Sequence, residues 1–346
     1  VNILAITSMR NEGPHCLEWI AHHLAAGVGH FLIYTNDCDD GTDLIMDALQ
    51  NAGLVTHIRQ KPTGKRTVQW QALKHAGDHP LVADADWVLI TDSDEFINLR
   101  PPLATLQDMI TRLPKGTDAV AMPWRLFGNA GQIEMRDALT TETFLRAAPL
   151  GNWLPTTHFF KSLFRPAAFR QLGVHRPKRN KDRVPNWVDG GGNPLPGWFA
   201  KKDARINLFG LGVSNALVQL NHYSLRSAES FMVKRARGLP NRTDREIGLG
   251  YWIERNFNTV EDDSILQMLP ATKAKLQELM EIESVSNLHE NAFLSHKSRF
   301  QKMIEDQDNI ELFWHLAICG DSKPPAYELY RTQIDRYLKA IQNDGK

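Results

Sequence analysis

Apolar and polar positions alternate in blocks along the first hundred residues. Asn2 to Thr7 is a short apolar run, and it ends in Ser8-Met-Arg-Asn-Glu-Gly13-Pro14, a polar turn punctuated by Gly and Pro. Apolar residues at 17, 20, 21, 24 and 25 recur at helical spacing. They predict a helix from Cys16 to Ala26, closed by Gly27 and Gly29. Phe31 to Tyr34 predicts a second buried strand, followed by the polar loop Thr35 to Thr42. A helix over Leu44 to Ala52, capped by Thr42 or Asp43, comes next. Then follow a strand over Val55 to Ile58, a helix over Thr67 to Ala76 and an apolar run, Trp87 to Thr91, that reads as a buried parallel strand. This alternation predicts an α/β fold with a mostly parallel sheet and helices on both faces. Ligands in such open sheets bind outside the carboxyl ends of the strands. The segments 10–13, 35–42 and 92–95 should therefore meet in one polar, partly acidic crevice.

The second part of the chain is less regular. Leu103 to Arg112 predicts an outer helix, and Ala119 to Phe127 another strand. From about 132 to 215 the pattern is broken by Trp, Pro and Gly-rich turns, including Asp189-Gly-Gly-Gly-Asn-Pro-Leu-Pro-Gly197. Long loops of this kind inside a domain are usually functional or mobile. Val218 to Tyr223 reads as a late strand, and Ser227 caps a basic helix that runs to Gly238. Residues from about 244 to 342 read as helices with mixed, solvated charge.

A chain of 346 residues can bury a large core, as one big α/β domain with additions or as two domains. Its 40 basic and 40 acidic residues give zero formal charge, which argues against a bulk nucleic-acid binder. Cys16, Cys38 and Cys319 form neither a disulfide framework nor a zinc pattern, so a reducing, cytoplasmic compartment is expected. No apolar run reaches 18 residues, so no bilayer span is expected, while peripheral contact with the cytoplasmic side of a membrane stays open. No leader-type segment is visible, and Val1 in place of an initiator Met suggests a trimmed chain.

The densest chemistry is the acidic cluster Asp92, Asp94 and Glu95 at the end of the Trp87 strand. Adjacent carboxylates repel one another unless water or a cation neutralises them. A Mg²⁺ or Mn²⁺ ion on Asp92 and Asp94, completed by phosphate oxygens, would do so; a solvated acidic loop is the plainer alternative. Lys234, Arg235 and Arg237 lie within one helical turn and suit a diphosphate, or else form a solvated basic face. Lys65 and Arg66 invite the same reading. His222 ends the late strand as either a metal ligand or a packed core residue.

Taken together, Arg10-Asn-Glu-Gly-Pro, Glu18-Trp-Ile-Ala-His-His, Gly29-His-Phe-Leu-Ile-Tyr, Asp39-Asp-Gly-Thr and Thr91-Asp-Ser-Asp-Glu-Phe resemble a family 2-type glycosyltransferase of the GT-A fold. The branch they most resemble is the one related to family 92. Trp124-Arg-Leu-Phe-Gly, Lys161-Ser-Leu-Phe-Arg-Pro166 and Asn221-His-Tyr-Ser-Leu-Arg-Ser-Ala-Glu-Ser-Phe, with Lys234 and Arg237-Gly, agree with it. The resemblance covers roughly residues 1 to 240, with 1–130 as the nucleotide-sugar and metal half and 131–240 as the acceptor half. The resemblance does not extend into the helical remainder, 241–346.

What the resemblance implies is a metal-dependent transfer of a sugar from a nucleotide donor, UDP-linked by preference, to a glycan, lipid or protein hydroxyl, with inversion. It puts Asn11 and Glu12 on the base and ribose, Asn36 and Asp37 on the second nucleotide contact, and Lys234 and Arg237 on the diphosphate. Asp92, Asp94 and His222 become ligands of Mn²⁺ or Mg²⁺, with Glu95 in support. Thr35 departs from the family, standing where its first acidic loop residue is expected. An inverting transfer also needs a base. Asp137, Glu142, His158 and Asp189 are candidates, and Asp189 is favoured by its Gly-rich loop and its distance past the metal motif. Trp124, Trp153, Trp187 and Trp198 read as packing before sugar stacking, and His158 and His175 stay open between the same two roles, with His175-Arg-Pro a plain turn as the further alternative.

Two other readings compete. Val88 to Asp94 resembles the nucleophile strand of a haloacid-dehalogenase-type phosphatase, but Glu95 and Phe96 break that motif and three strand units precede it. A catalytically silent nucleotide- or sugar-binding module would keep the crevice and lose the base.

Overall fold

The computed structural model describes residues 1–64, 66–238 and 247–343. Its N-terminal part follows the predicted alternation. Strands β1 (Ile3–Met9), β2 (His30–Thr35), β3 (Val55–Arg59) and β4 (Trp87–Ile90) are joined by helices α1 (Gly13–Ala25), α2 (Thr42–Asn51) and α3 (Val68–Gly77). The four strands lie parallel in the order β3-β2-β1-β4, with Met9 beside Thr35 and Ile6 beside Ile90. This register brings the loops after β1, β2 and β4 out at one edge. β4 is buried along its whole length, as an apolar run with helices over both faces should be.

Helix α1 starts earlier than expected, because Pro14 fits its first turn. Its inner face, Cys16, Leu17, Trp19, Ile20 and Ala21, is fully buried, and each large side chain there contributes about 1.5–3 kcal/mol of burial. Capping of α2 falls not to Thr42 or Asp43 but to Asp40. Gly41 is the N-cap residue, and Asp40 Oδ1 accepts from the amide of Thr42 at 2.9 Å and from its hydroxyl at 2.6 Å.

The sheet continues through the strands expected over Ala119 to Phe127 and Val218 to Tyr223 and through others that the sequence pattern left obscure. β5 (Glu95–Leu99) leaves the acidic turn, then α4 (Leu106–Thr111) and β6 (Ala119–Leu126) follow. β7 (Phe160–Phe164) lies in the stretch expected to be irregular, yet it inserts antiparallel between β4 and β6. β8 (Trp187–Asp189) pairs with the start of β6, and β9 (Val218–His222) lies between β6 and β5. Antiparallel pairing sets His222 opposite Glu95, and that register brings the end of β9 to the acidic turn. The fold class is as expected: an α/β, parallel-rich sheet flanked by helices, with helices at the C-terminus.

Helix α5 (Ala228–Arg237) precedes 239–246, so the expected boundary at 240/241 falls outside the described residues. Beyond it come α6 (Leu269–Met280), α7 (Val285–Met303), α8 (Gln307–Ile318) and α9 (Tyr327–Asn343). The first two are not a separate layer. Leu279, Val285 and Ala292 are buried in the same core as Trp19 and Phe31. Among the described residues no helix is long and apolar enough to cross a membrane.

The motif Glu18-Trp-Ile-Ala-His-His serves this architecture. Glu18 accepts from the amides of Thr140 and Thr141 at 2.7 and 2.9 Å, and Trp19 Nε1 donates to Glu95 O at 3.0 Å. His22 bridges Ile97 O at 2.6 Å and Thr272 Oγ1 at 3.1 Å. It thereby ties β5 to α6.

Candidate active site

A cavity of about 590 Å³ opens at the carboxyl edge of the sheet, the size class of a small-molecule site. Glu12, Asn36, Asp92, Asp94, His222, Lys234 and Arg237 line it together, although they are spread over more than two hundred residues of sequence. The backbone at its rim is locally constrained. Asn11 and Asp37, each next to a lining residue, have φ of 52° and 45°, a conformation that Asn and Asp tolerate better than most.

Every carboxylate of the acidic turn has a cation from later in the chain. Lys161, on β7, is completely buried and donates to Asp92 Oδ2 at 2.9 Å, with Glu95 Oε2 at 3.4 Å. Gln69 donates to Asp92 Oδ1 at 2.7 Å. Lys234, on α5, lies 2.6 Å from Asp94 Oδ2 and 2.8 Å from Ser224 O. Arg237 pairs with Glu12 and donates to the carbonyls of Arg10 and Asn11. Arg226 lies 3.5 Å from Glu12 Oε2 and donates to Ser93 O at 3.1 Å, inside the acidic turn itself.

These pairings decide the ionisation. Burial alone would raise Asp94, but Lys234, then His222 and Arg226, hold it well below the usual carboxylate range. Burial likewise opposes the charge on Glu12, and Arg237 and Arg226 outweigh it. Lys161 loses hydration yet stays protonated because Asp92 and Glu95 flank it. Glu95 is the exception: burial pushes it up to about 8. Its Oε2 accepts from Thr91 Oγ1 and the Asp92 amide, while Oε1 has no partner. His222 is lowered by burial, against the pull of Asp94.

A divalent ion can be tested against this donor set. Asp94 Oδ1 and His222 Nε2 lie 3.5 Å apart in the cleft, close to the spacing of two adjacent ligands on one small cation. Asp92, the other carboxylate expected on the ion, also lines the cleft; Lys161 and Gln69 donate to its two oxygens, each of which keeps a lone pair. Among the described residues no three His, Cys, Asp or Glu side chains gather to hold a metal by themselves. The residues therefore fit an ion shared with a ligand's oxygens, the usual habit of Mg²⁺, and not an all-protein cage.

Several expected site residues are not brought to the cleft. Asp189 is buried at the end of β8, where its carboxylate accepts from the amides of Gly191, Asn193 and Ser214 at 2.9, 2.9 and 2.7 Å. It is level with Ala121 on β6, three residues before Trp124. The glycines of its loop are there for packing: a Cβ on Gly190 would meet Val218 O, and one on Gly191 the Ser214 hydroxyl. Asp189, expected as the base, is thus the pin of a turn and is not among the residues that line the cleft. Asp137, Glu142 and His158 do not line the cleft either. Asn11 and Asp37 stand just outside it: Asn11 Oδ1 accepts from the Asp39 amide, and Asp37 accepts from Asn36 Nδ2. Arg235 turns to Asn309, at 3.0 Å. Arg66 is exposed, and Lys65 lies outside the described residues.

Sequence reasoning missed Lys161, Arg226, Gln69 and the cleft position of His175. Lys161 had a signal, a single charge within the apolar run Phe159-Phe-Lys-Ser-Leu-Phe164. A lysine there must be paired if the strand is buried.

The family model Glycosyltransferase family 92 matches residues 12–188. A glycosyltransferase family 92 protein of Ricinus communis is 29% identical over 119 residues, 33% of this chain and 20% of that protein. One of Oryza sativa subsp. japonica is 30% identical over 108 residues, 30% of this chain and 17% of that protein. The chain thus matches about a fifth of the length of these relatives. Among solved structures, S. aureus TarS 1-349 in complex with UDP overlaps 49% of this chain and 48% of its own, at 15% identity and a TM-score of 0.31. An active-site mutant of LgtC overlaps 64% of this chain and 87% of its own, at 13% identity and a TM-score of 0.32. The phosphatase reading, which needs a free Asp92, has no support from the site or from these relatives. With the family match spanning just over half its length, from Glu12 to Val188, the chain belongs to glycosyltransferase family 92.

Proposed function

We propose that the cleft binds a nucleoside diphosphate sugar, with a uridine donor favoured, and transfers the sugar to an acceptor hydroxyl with inversion and with the help of Mn²⁺ or Mg²⁺. The observation that carries this is the convergence of Asp94, His222, Lys234 and Arg237 on one cavity. Asp94 and His222 would hold the cation, and a bound cation would offset charge on the leaving diphosphate. Lys234 has two N–H groups on Asp94 and Ser224 O, which leaves one for a phosphate oxygen. Arg237 is fixed by Glu12 and two carbonyls, so its guanidinium meets the ligand already oriented. Lys161 and Glu95 hold Asp92 beneath. The N-terminal family residues, Glu12 and Asn36, flank the nucleotide end.

A thermal-shift panel of UDP, GDP, CDP and their sugars, each with Mn²⁺ and with EDTA, tests the reading. A ligand of the folded state alone raises the melting temperature by mass action. One diphosphate should stabilise the protein in Mn²⁺ and not in EDTA, and Asp94→Ala should abolish the difference. No shift with any nucleotide would refute the donor site and favour a fold retained without it.

A further inference from the structure

Inverting transfer requires a group that takes the acceptor's proton, and the cleft narrows the choice. Among the described residues, each carboxylate that lines it is already held: Glu12 by Arg237 and Arg226, Asp92 by Lys161 and Gln69, Asp94 by Lys234 and His222, and Glu254 by Arg255 at 3.0 Å. His175 also lines the cleft, at the side built by Phe159 and Trp124, with ring centroids 5.4 Å from each. Its Nδ1 lies 3.0 Å from Phe160 O. A carbonyl can only accept, so Nδ1 carries the proton and Nε2 keeps the lone pair. Ser162 Oγ donates to His175 O at 2.7 Å, so β7 fixes the residue twice. The other face of Trp124's surroundings is His222, with ring centroids 4.2 Å apart. The imidazole and the Asp94–His222 pair thus contact or flank the same indole and line the same cavity of about 590 Å³.

We propose that His175 is the general base of the transfer. The assignment rests on the transferase reading above. As the acceptor oxygen bonds to the anomeric carbon, its proton passes to Nε2. The bond from that carbon to the diphosphate oxygen breaks, and its electron pair leaves with the nucleoside diphosphate. The imidazolium then returns its proton to solvent.

The test uses the full chain with Mn²⁺ and the nucleotide sugar that stabilises it most, and follows release of nucleoside diphosphate to water as acceptor. His175→Asn keeps an N–H for Phe160 O and removes Nε2. It should leave the thermal shift and KM for the donor unchanged and lower kcat by about a hundredfold or more. His175→Gly should regain part of its lost rate with added imidazole, which a purely structural histidine would not allow. A folded His175→Asn within about threefold of wild-type kcat overturns the proposal. If His175→Asn does not fold, a folded His175→Gly without imidazole rescue overturns it instead. Failure of the wild-type protein to bind or cleave any donor in the panel would refute the transferase reading itself, and the base with it.

Discussion

The two sides of the cleft are built differently. Residues 1–130 supply its paired carboxylates from short loops at the ends of regular strands: Glu12, Asp92, Asp94 and, beneath, Glu95. Residues 161–237 supply the cations that answer them, Lys161, Arg226, Lys234 and Arg237, from a buried strand, a strained turn and one helix. The anionic side is a local product of β-α alternation. The cationic side is assembled only when β7 and β9 enter the sheet. An acidic turn this dense is stable because a distant part of the chain folds onto it.

The largest expected effect comes from separating the two sides. Lys161→Met should cost about 3 kcal/mol in urea unfolding, because it removes the buried cation that Asp92 and Glu95 share. Adding Asp92→Asn and Glu95→Gln to it should recover much of that loss. A neutral Lys161→Met would mean that the acidic turn does not need its distant partner. Asp189→Asn sharpens the contrast from the scaffold side. It should cost about 1–3 kcal/mol by weakening the amide cradle, while the transfer rate stays near wild type. A collapse of kcat with stability unchanged would return Asp189 to the chemistry.

Acid should expose a third difference. His22 and His23, on α1, are pushed down by burial to about 4 and about 3, so the folded state refuses protons that the unfolded chain accepts. Their stabilisation is complete above the unfolded value near 6.5 and is lost as pH falls toward the folded values. Each contributes a slope of about 1.4 kcal/mol per pH unit in that window. Urea midpoints measured from pH 7 to pH 5 should fall accordingly, and His22→Gln should flatten the slope. A flat wild-type profile down to pH 5 would show that these rings are hydrated. The smallest effect belongs to the exposed Lys273–Glu142 pair at 3.0 Å. Lys273→Ala should change stability by no more than about 0.5 kcal/mol, and a larger loss would mean that this contact matters to the docking of α6.

How much was legible in the sequence follows the same division. The four parallel strands and the edge where their loops meet could be read from periodicity, because each element is short, apolar and bounded by Gly, Pro or acidic residues. Asp94, His222, Lys234 and Arg237 could be named, but only as candidates along a line. The register of β5 against β9 that brings His222 to the acidic turn is a long-range fact with no local trace. β7 was hidden because Lys161 interrupts its apolar pattern, and that interruption was the clue to a buried ion pair. At Asp189 a Gly-rich loop beside a carboxylate looks mobile and reactive, whereas here close backbone approach requires the glycines and the carboxylate accepts from the amides of Gly191 and Asn193. His175 stayed open between packing, stacking and a plain turn because its partners, Phe160 O and Trp124, lie on strands that the pattern did not pair.

The central claim is that cations from the second side meet a diphosphate held against the first. Calorimetric titration of the stabilising nucleoside diphosphate, with Mn²⁺, into wild type and into folded Lys234→Gln tests it most directly. Loss of one charged donor should weaken the Kd by about ten- to hundredfold. An unchanged Kd would place the diphosphate elsewhere and contradict the account.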